Sequence, residues 1–382
     1  MDLDLTPAQR AFLDRVEAFA RDRVAPAAAA IDQSGVFPRD LVAEAGTLGL
    51  LGVSIPETYG GAGLDPVAYA LAVETVARAS ATLAVILVVQ NSLVAEPLAR
   101  YGTDAQKETW LRALVTGRAL GAFALSEPQA GSDAAHQKTI ARLDDRGYLV
   151  KGRKVWVAAG EAAHVVLLFA QTQPGSEARA ISAFLVPLDL PGLQRSAVLD
   201  SVGVRGLGCV DLECDDVRVD AGWMLGGPGQ GFKLAMWALE GCRIGIAAQA
   251  IGIGQAALDE ALAHAHQREQ FGQPISNFQA VQFMLADVAT ELDAARLLTL
   301  KAADAKTRQP RALLESAMAK LQASEAAHRA ADKALQILGA AGYRRGSTVE
   351  RLFRDSRVTE IYPGTSEVQR MVIAEQILGI KR

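Results

Sequence analysis

The segment from Ile361 to Arg370, IYPGTSEVQR, carries hydroxyl and carboxylate side chains at the point where a turn leads into a predicted helix. Thr365, Ser366 and Glu367 stand at that helix start, where free backbone N–H groups favour phosphates and other anions. Pro363 supplies neither a carboxylate nor a backbone N–H. The segment therefore predicts an anion-binding turn in which residue 363 is neither a base nor a hydrogen-bond donor.

A second segment with chemical potential is FALSEPQAGSD, from Phe123 to Asp133. Its first half is typical of a strand, whereas Pro128 and Gly131 mark a turn in its second half. Ser132 can cap the residues that follow. By itself the segment predicts an ordinary surface loop.

The elements that position these segments fall into three regions, which predict an α+β multidomain fold. Residues 1–120 are expected to form an N-terminal helical domain, residues 121–228 a small antiparallel β domain, and residues 229–382 a C-terminal four-helix bundle. Thr6 and Pro7 are typical of a helix start. The predicted strands are Tyr148–Val157, His164–Thr172 and Ile181–Val186; the predicted bundle helices are Phe232–Gln267, Phe278–Arg308, Arg311–Leu338 and Ser366–Ile380.

Composition indicates an ordinary globular protein. The chain has 382 residues, 50% of them hydrophobic, and a formal net charge of -4. Since Lys and Arg are scattered, nucleic acid is not expected as a partner. Cys209, Cys214 and Cys242 match neither a metal-ligand spacing nor a disulfide framework, so no metal is expected and a cytoplasmic location is predicted.

No membrane span is expected either. The longest apolar run, Ala79 to Val89, is well short of the roughly 20 residues that cross a bilayer, so it predicts a buried core helix. The acidic start, MDLDLTPAQR, does not resemble a signal or transit peptide.

The loop from Phe123 to Asp133 resembles the flavin loop of acyl-CoA dehydrogenases, usually written ALTEPGAGSD. This resemblance implies that Phe123, Leu125, Ser126, Gly131 and Ser132 contact FAD, and that Ser132 also lies near the acyl-CoA.

The segment KVWVAAG, from Lys154 to Gly160, resembles the family's KxWITNG strand. In that strand the tryptophan, here Trp156, covers the flavin. Ala158 takes the place of a Thr or Ser whose hydroxyl commonly bonds to flavin N5. Loss of that hydroxyl is expected to alter the potential or reactivity of the flavin.

Further matches lie in the predicted bundle. REQFGQPI, from Arg268, resembles a motif whose arginine meets the FAD pyrophosphate across a subunit boundary, and QILGAAGY, from Gln336, resembles QxxGGxGY. The FAD-contacting residues that these motifs and the C-terminal segment imply are Arg268, Phe271, Gln279, Gln336, Gly339, Thr365 and Glu367.

The sequence EGCRIGIAAQAIG, from Glu240 to Gly252, is close to that of short-chain members of the family. With the other motifs, it extends the resemblance over essentially the whole chain. The resemblance implies the acyl-CoA dehydrogenase fold and a homotetramer built as a dimer of dimers. It also implies bound FAD, an acyl-CoA thioester substrate near Glu240, Arg243 and Gly364, and electron transfer to electron-transfer flavoprotein.

The family commonly places its catalytic base, a glutamate, at the position of Pro363. Some members place it at the residue before the motif arginine, which is Cys242 here. No catalytic base is therefore identified. Glu240 is a candidate if the substrate sits differently, and His136 and Tyr362 are further candidates, whereas a thiol in an apolar helix is a poor one.

Several functions follow from this pattern. The favoured one is α,β-dehydrogenation of an acyl-CoA thioester, or a variant of it. The alternatives are an enoyl-CoA reductase, an oxygen-using flavoenzyme of the same fold, and a catalytically silent subunit that binds FAD or acyl-CoA.

Overall fold

In the computed structural model, which describes residues 4–173, 177–309 and 311–380, Thr6 caps the first helix as expected. Its hydroxyl accepts a hydrogen bond from the backbone N–H of Gln9 at 3.2 Å. The Gln9 side chain in turn accepts one from the N–H of Thr6 at 2.8 Å, which completes a capping box. Residues 1–3 and 381–382, the outer ends of the first and third predicted domains, lie outside the described part.

The N-terminal region is helical, as the sequence predicts. Short π-helical segments at Ala20–Val24, Val89–Ala95 and Lys107–Leu111 join some of its helices. The helices are α1 Pro7–Phe19, α2 Ala25–Ser34, α3 Arg39–Thr47, α4 Pro66–Ala79, α5 Ala81–Val88, α6 Glu96–Tyr101, α7 Asp104–Gln106 and α8 Arg112–Val115.

From Ala81 onward the apolar run forms a buried core helix as predicted, whereas Ala79 ends α4 and Ser80 caps α5. Helical structure continues through α5 and α6 from Ala81 to Tyr101, long and apolar enough to cross a membrane by length and composition. Its most apolar stretch is entirely buried inside the protein.

The middle region forms one sheet. Its strands are β1 Gly121–Ala124, β2 Ile140–Asp144, β3 Gly147–Val157, β4 Val165–Gln171, β5 Ile181–Pro187, β6 Leu193–Arg195, β7 Val210–Val219 and β8 Met224–Leu225. They lie in the order β6-β7-β3-β2-β4-β5-β8, and β1 also pairs with β4.

The sheet is antiparallel apart from two contacts with β4. β1 runs parallel to β4 over four residue pairs, and Ile140 of β2 pairs in parallel with Gln171. A parallel pair needs a long connection, which the chain between β1 and β4 provides by way of β2 and β3. The sheet is thus mixed where an antiparallel one was expected.

The C-terminal region returns to helices. They are α9 Gly231–Gln267, α10 Gln279–Arg308, α11 Leu313–Leu338, α12 Thr348–Val358 and α13 Ser366–Leu378, with a short hairpin of β9 Glu269–Gln270 and β10 Gln273–Pro274 after α9. Helix α9 packs against α4, α10 and α11, so it lies at the centre of the helical part. Four of these helices were predicted within a few residues, whereas α12, capped by Ser347, was not.

One face of α10 is apolar and buried, and it includes Val288, Leu292 and Ala295. Its charged residues are not simply solvated: Arg296 donates a hydrogen bond to Glu74 of α4 at 2.9 Å. This ion pair ties the C-terminal helices to the N-terminal ones.

Candidate active site

The loop after β1 and strand β3 lie side by side. The backbone N–H of Val155 donates to the carbonyl oxygen of Ser126 at 3.0 Å, and the neighbouring Leu125 is buried. Phe123 packs on Phe169, with ring centroids 4.8 Å apart. Because Val155 precedes Trp156, the structure brings two segments of the predicted flavin site together.

A buried ion pair holds this loop in place. Lys154, on β3, is fully buried, and its ammonium contacts a Glu127 carboxylate oxygen at 2.8 Å and the Leu125 carbonyl oxygen at 3.1 Å. Burial lowers the pKa of Lys154 to about 8. Burial alone would raise the pKa of Glu127, but Lys154 and hydrogen bonds from Thr139 and Lys138 lower it to about 2.

Sequence reasoning missed this pair, although both residues lie inside the two motifs. Glu127 follows Ser126, and Lys154 begins the tryptophan strand. A glutamate and a lysine are usually exposed, so only an exact three-dimensional pairing gives them a buried role.

Trp156 projects from the sheet. It is 60% exposed and has a φ of 56°, a conformation that L residues rarely adopt. Its backbone N–H donates to an Asp211 carboxylate oxygen at 3.2 Å. Ala158, two residues on, is half-buried, and Gly131 and Ser132 lie at the exposed end of the loop.

The hairpin after α9 presents a second set of predicted residues to solvent. Phe271, at its turn, is 92% exposed, and Arg268 and Gln279 are exposed as well. Within the described part of the chain, the Arg268 guanidinium makes no hydrogen bond or ion pair. Gln336 and Gly339 are likewise exposed at the end of α11, where Gly339 has a φ of 57°.

The C-terminal turn is held from two sides. The Lys320 ammonium of α11 donates to the carbonyl oxygen of Gly364 at 3.0 Å, and the Gln369 side chain donates to the same oxygen at 2.9 Å. The Tyr362 hydroxyl donates to the Gln249 side-chain oxygen at 2.7 Å, which ties the turn to α9. Thr365 caps α13, as its sequence predicts.

Lys320 was not among the predicted site residues. It is fully buried, and burial lowers the pKa of its ammonium to about 8. The Arg243 charge lowers it further, whereas Glu360 opposes the shift. Lys320 therefore places a second buried cation beside the turn that Pro363 and Gly364 form.

Arg243, predicted to contact the substrate, is buried on α9. It is 4% exposed, and burial lowers its pKa. Its Nε and Nη1 atoms have no hydrogen-bond partner among the described residues. A buried guanidinium with two free donors is suited to an anionic or carbonyl oxygen of a ligand.

Glu240 does not pair with Arg243 by a hydrogen bond. Its buried carboxylate accepts bonds from the Arg311 side chain and, at 3.0 Å, from the backbone N–H of Ala312. Glu240 thus anchors the chain just before α11, and its lone pairs are engaged by protein donors.

The other candidate bases lie in different surroundings. Burial raises the pKa of the Cys242 thiol to about 12 and raises the pKa of Tyr362 well above its ordinary value. His136 is exposed, and its ring lies 2.6 Å from an Asp133 carboxylate oxygen. At neutral pH, neither Cys242 nor Tyr362 is ionised in the folded protein.

The predicted residues form three groups. One joins the loop after β1 to Trp156, one lies on the exposed hairpin and the end of α11, and one surrounds Arg243 and the Gly364 turn. The described part contains no cluster of His, Cys, Asp or Glu that could hold a metal ion, and the three cysteines are free and buried.

The residues present fit a flavin dinucleotide. Trp156 offers an exposed aromatic face, and Arg268 offers a cation whose donors no described residue uses. Apart from the adjacent chain, no described atom lies within 4 Å of the position that a Cβ of Gly339 would take, so a ligand can approach the backbone of Gly339 closely.

Comparison with known proteins accounts for nearly the whole chain. Residues 6–118, 122–217 and 229–378 match the families described as the N-terminal, middle and C-terminal domains of acyl-CoA dehydrogenase.

Two relatives and one solved structure illustrate the likeness. The chain is 46% identical over 379 residues to probable acyl-CoA dehydrogenase YngJ of Bacillus subtilis, covering 99% of this chain and 100% of the relative. It is 43% identical over 376 residues to human mitochondrial short-chain specific acyl-CoA dehydrogenase, covering 98% of this chain and 91% of the relative. Butyryl-CoA dehydrogenase from Megasphaera elsdenii has a TM-score of 0.96 at 41% identity, covering 99% of this chain and 100% of that one. The chain belongs to the acyl-CoA dehydrogenase family.

Proposed function

We propose that this dehydrogenase-type flavoenzyme uses FAD to oxidise the CH–CH group of an acyl-CoA thioester. The observation that carries the proposal is the buried cluster of Arg243, Lys320 and the Gly364 turn, which offers two free guanidinium donors. Bound FAD would supply the hydride acceptor. The names of the relatives support a short acyl chain as the first substrate to test.

The protein's own residues would bind and orient the thioester. Arg243 would hold an oxygen of the substrate, and the two hydrogen bonds to the Gly364 oxygen would fix the adjacent turn. Ser132 and Gly364 are further substrate-contacting residues in this proposal. Glu240 remains the candidate base, provided that the substrate displaces its present donors.

FAD would lie between the loop after β1 with Trp156 on one side and the hairpin with the end of α11 on the other. Leu125, Ser126, Trp156 and Ala158 would contact the isoalloxazine ring, together with Phe123, Gly131 and Ser132. The dinucleotide part would contact Arg268, Phe271, Gln279, Gln336, Gly339, Thr365 and Glu367. All but two of this second set, Gly339 and Phe271, bring a polar side chain.

A homotetramer, a dimer of dimers, is part of the proposal. Large apolar side chains are exposed on the hairpin and on α10 and α13, as a protein that associates through these elements would require. They include Phe271, Phe283, Leu297, Met371, Ile377 and Leu378. Such an assembly would cover these residues and would let Arg268 reach the cofactor of a neighbouring subunit.

Electron-transfer flavoprotein is the proposed electron acceptor, and the cytoplasm the proposed location. The three free cysteines agree with a reducing compartment.

The test begins with the purified protein. Its flavin is extracted and identified, and butyryl-CoA oxidation is followed with electron-transfer flavoprotein as acceptor. Release of FAD together with enoyl-CoA formation supports the proposal. A protein that retains FAD but catalyses only NAD(P)H-linked oxygen uptake or enoyl-CoA reduction contradicts it.

A further inference from the structure

The buried region around Arg243 holds more cationic side chains than carboxylates that lack another partner. Lys320 lies within electrostatic reach of Arg243, and both are buried. The neighbouring Glu240 is engaged by Arg311 and by the Ala312 backbone. The Glu240 charge acts on Arg243, but Nε and Nη1 of Arg243 have no hydrogen-bonded carboxylate among the described residues, which a buried guanidinium ordinarily requires.

Three further carboxylates act on Lys320 by their charge, and two of them have partners of their own. Glu360 accepts a hydrogen bond from Arg357 at 3.0 Å, and Glu325 accepts one from Arg370 at 2.6 Å. Glu367 is exposed at the start of α13. None of these three contacts Arg243 by a hydrogen bond in the described structure.

The adjacent turn adds no negative charge. Pro363 is apolar, Gly364 has no side chain, and the Gly364 oxygen is already occupied by Lys320 and Gln369. Next to the turn, the Ser366 hydroxyl is buried and has no partner among the described residues. Arg243 and Ser366 thus each keep a buried donor without a partner in the described structure.

We propose that the acyl part of the substrate carries a carboxylate, which Arg243 binds beside the Pro363–Gly364 turn. This inference rests on the proposed function, because it specifies the substrate class of the same site: the monothioester of a dicarboxylic acid. An uncharged acyl group could offer the Arg243 donors only a neutral thioester oxygen. A carboxylate satisfies them with charge-assisted hydrogen bonds.

The test measures binding to the oxidised, FAD-loaded protein by calorimetry. The ligands are succinyl-CoA and glutaryl-CoA, each compared with the thioester in which the terminal carboxylate is replaced by its neutral amide. We expect each carboxylate ligand to bind at least tenfold more tightly than its amide. Equal affinities would overturn the inference.

Two variants, Arg243→Gln and Pro363→Glu, test where the substrate carboxylate binds, and Arg296→Gln is the control. Arg243→Gln should abolish the preference, whereas Arg296→Gln should retain it, because Arg296 is paired with Glu74 elsewhere. Pro363→Glu should weaken binding of the carboxylate ligands at least tenfold while leaving the amides nearly unchanged. This second variant keeps the test decisive if Arg243→Gln fails to fold, and a preference that survives Pro363→Glu would overturn the inference.

A further experiment distinguishes a carboxylate on the acyl group from a free carboxylate such as acetate. The amide ligands are titrated again in the presence of acetate. If free acetate, rather than the acyl group, occupied the position beside Arg243, acetate would tighten binding of the amide ligands, and the preference for the carboxylate ligands would be absent. That result would overturn the inference. Binding and flavin reduction are measured separately, so the two proposals can fail separately. Preferential binding of the carboxylate ligands without flavin reduction would contradict only the proposed dehydrogenation. Flavin reduction without that preference would contradict only the present inference.

Discussion

The ammonium of Lys320 donates a hydrogen bond of 3.0 Å to the carbonyl oxygen of Gly364, which joins the middle of α11 to the turn before α13. Lys320 also lies within electrostatic reach of Arg243, whose charge lowers the pKa of Lys320. The bond therefore connects the stability of the helical core with the position of the turn that would face the substrate.

Lys320→Met should reduce the increase in the free energy of unfolding that the wild type shows at alkaline pH. The folded pKa of Lys320 is about 8, below its ordinary value of 10.5, so the unfolded chain holds this proton more tightly. Between these two pH values the unfolded state binds more protons, and the free energy of unfolding rises with pH by about 2 kcal/mol from this residue. Below pH 8 this gain is absent.

Urea unfolding at pH 7.5 and pH 10 checks this expectation. The wild type should gain more stability over that interval than Lys320→Met. Lys333→Met, which alters a more exposed lysine of the same helix, is the control and should behave as the wild type. Identical pH dependence in all three proteins would show that Lys320 is not held as a buried cation.

Pro363→Glu should raise the oxidation rate of uncharged acyl-CoA thioesters by about 10²- to 10⁴-fold, the usual contribution of a positioned base. The substitution restores a carboxylate at the position where the family commonly has its base. Stopped-flow measurement of flavin reduction by butyryl-CoA provides the rate. Pro363→Gln, which adds similar bulk without a base, should show no such gain; an equal gain in both variants would indicate a steric effect.

Glu127→Gln should lower the free energy of unfolding by about 3–5 kcal/mol, because it leaves the buried Lys154 ammonium without its counter-ion. Thermal and urea unfolding of the purified protein measure the change. The double variant Glu127→Gln/Lys154→Met should lose less than the single variant, since it buries no unpaired charge. Lys151→Met, which removes an exposed ion pair with Asp215 on the same sheet, should lower the free energy of unfolding far less than Glu127→Gln does.

Arg268→Gln should reduce the amount of FAD that copurifies with the protein. The residue is exposed and has no partner in the described chain, so the free energy of unfolding of the FAD-free protein should change by less than about 0.5 kcal/mol. Flavin content per subunit and urea unfolding are the two measurements. Arg142→Gln, at an exposed position of β2, should leave both quantities unchanged; full FAD content in Arg268→Gln would exclude a role in cofactor binding.

Local signals in the sequence predicted much of this fold. Thr6 and Pro7 determine where α1 begins, and Thr365 caps α13, because capping depends on residues within one turn. Contacts between residues far apart in the chain left no comparable signal in the sequence. Lys320 lies in an alanine-rich helix, and nothing near it in sequence indicates that its partner is Gly364.

The mixed sheet illustrates the same limit. Short apolar strands can be recognised one at a time, but whether β1 runs parallel or antiparallel to β4 depends on the path of the chain between them. The candidate site is divided in the same way: Trp156 and Arg268 were identified through their motifs, whereas the ion pair of Glu127 with Lys154 became visible only in three dimensions.

The most direct measurement is an anaerobic titration of the purified flavoprotein with saturated acyl-CoA thioesters, including the dicarboxylic monothioesters, while the flavin absorbance is followed. We predict that at least one saturated thioester bleaches the bound flavin and is converted to the enoyl-CoA. Bound flavin that stays oxidised with every thioester would contradict dehydrogenation as the function of this protein.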